Sequence, residues 1–80
     1  MLTRNAIVAR LQTTFASVFG ADVVVSEQLS ANDVADWDSL NHIRLIVAVQ
    51  KAFGIKFTAA EVGGLKTVGE LVTLIERKAA

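Results

Sequence analysis

The chain has 80 residues, 52% of them hydrophobic, and its eight basic and eight acidic residues give a formal net charge of zero. This length predicts one domain, residues 1–80, and the balanced charge argues against nucleic acid as the main partner. Cysteine is absent, which excludes thiol catalysis and cysteine-ligated zinc. We see neither a secretory signal nor a membrane span. We expect a cytoplasmic, monomeric protein that binds no membrane.

The first predicted helix begins after Thr3 and ends at Gly20, because apolar residues recur between them at helical spacing. We expect Arg4 and Arg10 on its exposed side. The connection that follows, residues 21–38, is long for so small a domain, and such loops tend to be functional. Its charged residues are all acidic: Asp22, Glu27, Asp33, Asp36 and Asp38. The residues expected to pin this loop over the helices are Val24 or Val25, Leu29 and Val34. Trp37 is expected to be a packing anchor near Ser39 rather than a residue on which a ligand stacks.

The second predicted helix runs from about Ser39 to Phe53. Asp38 suits its N-cap, because a carboxylate can accept the free backbone N–H groups of the first turn. Ser39 then occupies the first helical position, where the side chain points outward and the helix dipole is positive. The position therefore suits a phosphate ester on the Ser39 oxygen rather than a buried hydroxyl.

This second helix has two apolar stripes. The stripe assigned to the core consists of Leu45, Ile46, Val49 and Phe53, and the other stripe consists of Leu40, Ile43 and Val47. A helix in a small bundle needs only one such stripe. The second stripe indicates either a more deeply buried helix or a surface beside Ser39 on which a partner docks.

Two capping-box patterns predict further helices, one opened by Thr58 with Glu61 and one opened by Thr67 with Glu70. The first is short, because two glycines at positions 63 and 64 end it. The second carries apolar residues at helical spacing: Val68, Leu71, Val72 and Ile75. The sequence thus predicts an all-α domain of three longer helices and one short helix, with a long loop between helices one and two.

The segment Asp38-Ser39-Leu40, preceded by Trp37 and followed by an apolar helix and Phe53-Gly54-Ile55, resembles the modification motif of acyl and peptidyl carrier proteins. The resemblance covers nearly the whole chain and implies a four-helix bundle of the acyl-carrier type. It implies that Ser39 carries 4′-phosphopantetheine from coenzyme A, whose thiol holds acyl groups as thioesters. It also implies that Asp38 helps to hold Mg²⁺ transiently during the transfer.

The partners that this resemblance implies are a phosphopantetheinyl transferase and acyl-loading, synthase or transferase enzymes. The pathway would be fatty acid, polyketide or related specialised biosynthesis, and the acyl cargo stays open. An unmodified helical interaction module that docks through Leu40, Ile43 and Val47 is the alternative. A serine that merely starts a helix is a further interpretation, because serine is common at that position.

A catalytic role is not expected. Ser39 lies near His42, Asp36 and Asp38, but no Gly-x-Ser-x-Gly pattern is present and so small a bundle offers little cavity. We therefore predict a carrier rather than an enzyme, with His42 on the surface or edge of the first helical turn. The acids Asp33, Asp36 and Asp38 do not match a calcium-binding loop, so no permanent metal site is predicted.

The charges of the second helix differ from those of many fatty-acid carriers that resemble this chain, in which this helix is strongly acidic. Residues 39–57 contain no acid. The predicted docking face is apolar with a basic margin and consists of Asp38, Leu40, Ile43, Arg44, Val47 and Lys51. Because charge complementarity governs encounter rate and partner choice, we predict weak recognition by standard fatty-acid synthase enzymes. A dedicated partner with an acidic or neutral rim is expected instead.

Overall fold

A computed structural model describes residues 3–20, 22–34 and 37–79 of the chain. These residues form four α-helices: α1 (Arg4–Phe19), α2 (Ser39–Phe53), α3 (Ala59–Gly63) and α4 (Val68–Ala79). A 3-10 helix, Ala31–Asp33, interrupts the loop between α1 and α2. The predicted all-α arrangement of three longer helices, one short helix and a long first loop is confirmed. No helix in these ranges is long and apolar enough to cross a membrane.

The ends of the first two helices follow from local chemistry. The Thr3 hydroxyl accepts the Ala6 N–H at 3.1 Å, so it caps α1 as predicted. The N–H of Gly20 donates to the Ala16 carbonyl and closes the helix. Gly54 ends α2 in the left-handed conformation, with φ of 64°, which costs a residue with a Cβ more than it costs glycine.

The predicted capping boxes also start helices. At α3 both halves are present: the Thr58 hydroxyl accepts the Glu61 N–H at 3.2 Å, and the Glu61 carboxylate accepts the Thr58 N–H at 2.8 Å. At α4 the Thr67 hydroxyl accepts the Glu70 N–H at 3.2 Å. The two short polar patterns therefore set where both helices begin, as predicted from spacing alone.

The core lies where α1 contacts both α2 and α4. The side chains that are completely or almost completely excluded from solvent are Ile7, Leu11, Phe15, Leu45, Val49, Val68, Leu71, Val72 and Ile75. Phe53, which the pattern placed in the core, is half-buried at its edge, and the Arg10 guanidinium carbon lies 5.5 Å from the centre of its ring. Apolar residues at helical spacing on three helices thus build one shared core.

The loop between α1 and α2 is attached to the helices at several points. Val25 and Val34 are buried and Leu29 packs against the core, as predicted, whereas Val24 is 77% exposed. The side-chain amide of Gln12 fixes the start of the loop by donating to the Val23 carbonyl at 2.6 Å. Its oxygen accepts the Val25 N–H at 2.8 Å. The valine that anchors the loop is therefore Val25.

Backbone hydrogen bonds join the same loop to the start of α4. The N–H of Gly69 donates to the Glu27 carbonyl at 2.9 Å, and the N–H of Val68 donates to the Leu29 carbonyl at 2.8 Å. Ser30 and Thr67 form an isolated antiparallel bridge, which is the only β pairing within the described ranges. The loop therefore lies in a fixed position beside α4 and leads the chain to the start of α2.

The expected exposure of Arg4 is wrong. Its side chain is half-buried and forms ion pairs with Glu27 of the loop and Glu76 of α4. The guanidinium also donates to the Thr73 hydroxyl at 3.1 Å. The hydrogen bond from Arg4 lowers the pKa of the Glu27 carboxyl and raises the pKa of Arg4 itself. This correction has a physical reason: two acids distant in sequence meet above the first turn of α1 and supply partners for the cation.

Candidate functional site

The candidate site lies at the start of α2. Asp38 has an extended backbone, and its carboxylate Oδ1 accepts the Asn41 N–H at 2.9 Å. The Asp38 carbonyl accepts the His42 N–H at 2.8 Å, which is the first hydrogen bond of the helix. Ser39 is therefore the first helical residue, as predicted, and it is exposed. A negatively charged group on its oxygen would lie at the positive end of the helix dipole.

Trp37 supports this turn from below. It is 8% exposed and packs edge-to-face on Phe15, with ring centres 5.4 Å apart, and beside Phe19 at 5.9 Å. The predicted packing role of Trp37 is confirmed by this burial. Because the residue lies two positions before Ser39, its fixed position also fixes where α2 begins. Asp36, the other acid considered near the site, lies outside the described residues.

His42 connects α2 with α3. Its Nδ1 accepts the indole N–H of Trp37 at 3.0 Å, and its Nε2 lies 3.0 Å from the Val62 carbonyl oxygen. The carbonyl can only accept, so Nε2 carries the hydrogen and the ring is the neutral Nε2–H tautomer. His42 is half-buried, which agrees with the edge position among the two that were predicted. Both ring nitrogens have partners, so neither is available as a base for Ser39.

The sequence offered no signal for the contact between His42 and Val62. The two residues are 20 positions apart, and Val62 takes part through its backbone carbonyl. Side-chain identity therefore carries no information about this hydrogen bond. The spacing between Trp37 and His42 is equally uninformative, because five residues across a helix start match no regular repeat.

An open groove of about 550 Å³ lies beside Ser39. Its lining includes Asp38, Ser39, Ile43, Val62 and Leu65. An exposed hydroxyl with open, partly apolar space next to it can carry a long substituent without displacing the core. The residues at the start of α2 therefore fit a phosphate ester that carries a flexible arm.

The second apolar stripe of α2 is exposed to solvent. Leu40, Ile43 and Val47 are 60%, 62% and 44% exposed, and Arg44 and Lys51 beside them are exposed as well. The alternative of a more deeply buried helix is thus excluded for this stripe. Of the predicted core stripe, Leu45, Ile46 and Val49 are buried. Contiguous exposed apolar residues of this kind are typical of surfaces that bind another protein or a ligand.

Within residues 3–20, 22–34 and 37–79, no three histidine or acidic side chains are grouped closely enough to hold a metal ion. The Asp38 carboxylate is exposed and engaged through one oxygen by the Asn41 N–H. A transient contact between Asp38 and Mg²⁺ remains a prediction.

Known proteins resemble this chain over nearly its whole length. Residues 9–75 match the family model of the phosphopantetheine attachment site. The acyl carrier protein of Thermotoga maritima is 29% identical over 79 residues, which is 98% of each chain. A meromycolate extension acyl carrier protein of Mycolicibacterium smegmatis is 30% identical over 76 residues, covering 94% of this chain and 77% of that relative.

A solved structure agrees with these relatives. The holo acyl carrier protein of Geobacter metallireducens is 40% identical, covers 90% of this chain and 84% of its own, and superimposes with a TM-score of 0.83. The chain therefore belongs to the acyl carrier protein family, and it is a carrier of covalently attached phosphopantetheine rather than an enzyme.

Proposed function

We propose that Ser39 is the attachment point of 4′-phosphopantetheine and that the arm presents acyl intermediates to partner synthase and transferase enzymes. The observation that supports this assignment is the exposed hydroxyl of Ser39 at the first position of α2. The other described serines lack this placement: Ser17 lies inside α1, Ser26 lies in the loop, and Ser30 donates its hydroxyl to Asp33. Ser39 alone among them starts an α-helix.

The proposal implies how the arm is acquired. The Ser39 oxygen would form a bond to the phosphorus next to the pantetheine of coenzyme A, while the phosphorus bond to the departing adenosine nucleotide would break. Both ring nitrogens of His42 are already engaged, so His42 would not take the hydroxyl proton, and we assign that role to the transferase. The resulting anion gains about 0.3–1 kcal/mol from the end of α2.

When attached, phosphopantetheine supplies a flexible arm whose terminal thiol forms the thioester. The role of the chain is to hold that arm on a rigid base. Asp38 caps the helix and Trp37 fixes its start on the core. Tethering turns each later step into a local encounter, because the linked group has a high effective concentration near any docked enzyme.

We also propose that partner enzymes dock on the exposed row Leu40, Ile43 and Val47. Every enzyme that acts on the arm must approach the N-terminal end of α2. The apolar row begins there, at the residue next to Ser39. We further propose that residues 1–80 act as one cytoplasmic, monomeric domain in a specialised lipid, polyketide or related pathway. The zero net charge and the meromycolate extension relative both support such a pathway.

Intact-mass measurement tests the attachment site. The protein is incubated with coenzyme A and a broad-specificity phosphopantetheinyl transferase, and we expect a gain of one phosphopantetheine group. Ser39→Ala should show no gain, whereas the matched variants Ser17→Ala and Ser26→Ala should be modified like the wild type. A gain that persists in Ser39→Ala contradicts the assignment. No gain in the folded wild type would favour the unmodified interaction module that docks through Leu40, Ile43 and Val47.

A further inference from the structure

The exposed side of α2 and the turn after it carry cations that have no acidic partner. Arg44 and Lys51 are exposed on α2, and Lys56 is exposed three residues after the helix ends. None of the three forms an ion pair within the described part of the chain. Their charge is therefore presented to solvent at the surface that also contains Leu40 and Val47.

Three acids are paired with other cations, and the exposed Asp38 lies at the opposite end of α2 from Lys51 and Lys56. Glu27 and Glu76 pair with Arg4, and Glu61 pairs with Lys78. No Asp or Glu lies anywhere between residues 39 and 57. The zero net charge of the chain thus hides a basic surface on one side of the molecule, and the balancing acids lie on other elements.

Apolar contacts and basic charge are combined in one place. A groove of about 340 Å³ continues the row of Leu40, Ile43 and Val47 at the far end of α2. Val47 and Ile55 line it, together with Lys51 and Lys56. Such a groove fits an apolar side chain of a partner protein when acidic residues of that partner lie on either side of it. A partner with lysines or arginines at the same positions would meet like charge, which disfavours docking.

We infer that the enzymes for which this carrier is specific dock on α2 through apolar residues surrounded by an acidic rim. We name this surface the basic docking face; it consists of Leu40, Ile43, Arg44, Val47, Lys51 and Lys56. The inference rests on the proposed function, because it concerns the enzymes that approach the arm on Ser39. The attraction acts within a Debye length of about 8 Å at physiological salt, so it selects among partners at close range.

A charge-swap experiment tests the inference. The probe is a broad-specificity phosphopantetheinyl transferase chosen for a basic carrier-binding surface, together with a variant in which those basic residues are changed to glutamate. The kcat/KM for loading is measured by intact mass with wild-type carrier and with Arg44→Glu/Lys51→Glu. The matched control is Lys66→Glu/Arg77→Glu, which changes the net charge equally at exposed positions away from this face.

For each carrier, the relative preference is the kcat/KM with the acidic transferase variant divided by the kcat/KM with the basic transferase. We expect this ratio to be about tenfold larger for the wild-type carrier than for Arg44→Glu/Lys51→Glu. The control should behave like the wild type, and higher salt should reduce the difference. If the control changes the relative preference as much as Arg44→Glu/Lys51→Glu does, or if the wild-type carrier and Arg44→Glu/Lys51→Glu show the same relative preference, the inference is overturned.

A second measurement needs only the unmodified basic transferase. Moderate salt should raise the loading rate of the wild-type carrier, because it screens repulsion, and should lower that of Arg44→Glu/Lys51→Glu. The same sign of salt dependence in both carriers contradicts the inference. Failure of the proposed function has a different signature, since no carrier would then gain the mass of the arm with either transferase.

Discussion

The hydrogen-bond chain from Trp37 through His42 to Val62 should stabilise the whole bundle, and His42→Ala tests its contribution. The substitution leaves the buried indole N–H of Trp37 without its acceptor, which costs about 1–3 kcal/mol. The Val62 carbonyl also accepts the N–H groups of Gly64 and Leu65, so the loss there is about 1 kcal/mol. We expect the free energy of unfolding to fall by about 2–4 kcal/mol, a large fraction of the total of about 4–12 kcal/mol for a chain of this size.

Urea unfolding followed by far-ultraviolet circular dichroism measures this loss. A double-mutant cycle with Trp37→Phe separates the indole hydrogen bond from the other effects of removing the ring. Without the indole N–H, His42→Ala should cost only the contact with Val62, which predicts a coupling of about 1–3 kcal/mol. Effects that add within about 0.5 kcal/mol would refute the assignment of this hydrogen bond.

Three further changes test features of the backbone and of the ion pairs. Gly54→Ala should lower the free energy of unfolding by about 1 kcal/mol, because the left-handed φ of 64° disfavours a Cβ. The control Gly63→Ala should cause no such loss, and equal effects of the two variants in thermal unfolding would rule out this reason. Gly69→Ala places a Cβ 3.0 Å from the Glu27 carbonyl oxygen, so hydrogen exchange at residue 69 should accelerate; unchanged protection would show that the loop adjusts freely. Arg4 lowers the pKa of Glu27 in the folded protein. The ionised Glu27 therefore stabilises the fold at pH values above its pKa in the unfolded chain, and this stabilisation is lost as the pH falls through its pKa in the folded protein. Glu27→Gln should therefore flatten the decline in unfolding free energy below about pH 5, measured in urea, and a curve that keeps its wild-type slope contradicts this.

Much of the fold could be predicted because its determinants are local. The hydroxyls of Thr3, Thr58 and Thr67 each cap a helix by accepting an N–H only three residues away. Asp38 does the same at the candidate site, where it accepts the Asn41 N–H. Ser39 could therefore be predicted as the first helical residue from the N-cap residue that precedes it. Hydrophobic periodicity then separated the buried and exposed sides of α2, because a regular helix turns each residue by a known angle.

Contacts between distant segments could not be predicted in this way. Arg4 meets Glu76 across 72 positions, and no pattern near either residue indicates the pair. Hydropathy is also identical for Val24 and Val25, so only the path of the folded loop decides which one is buried. The connection of His42 to α3 depends on the same long-range placement.

The pairing between the first loop and the start of α4 has a consequence for synthesis. Helix α1 and the loop both need residues 66–79 to complete their contacts, and those residues leave the ribosome after everything that they stabilise. A nascent chain that ends before Val68 lacks α4, so the apolar residues of α1 and of the loop that pack against α4 stay exposed to solvent. We therefore expect modification of Ser39 to follow translation of the last helix, and chains arrested earlier to be poor substrates for the transferase.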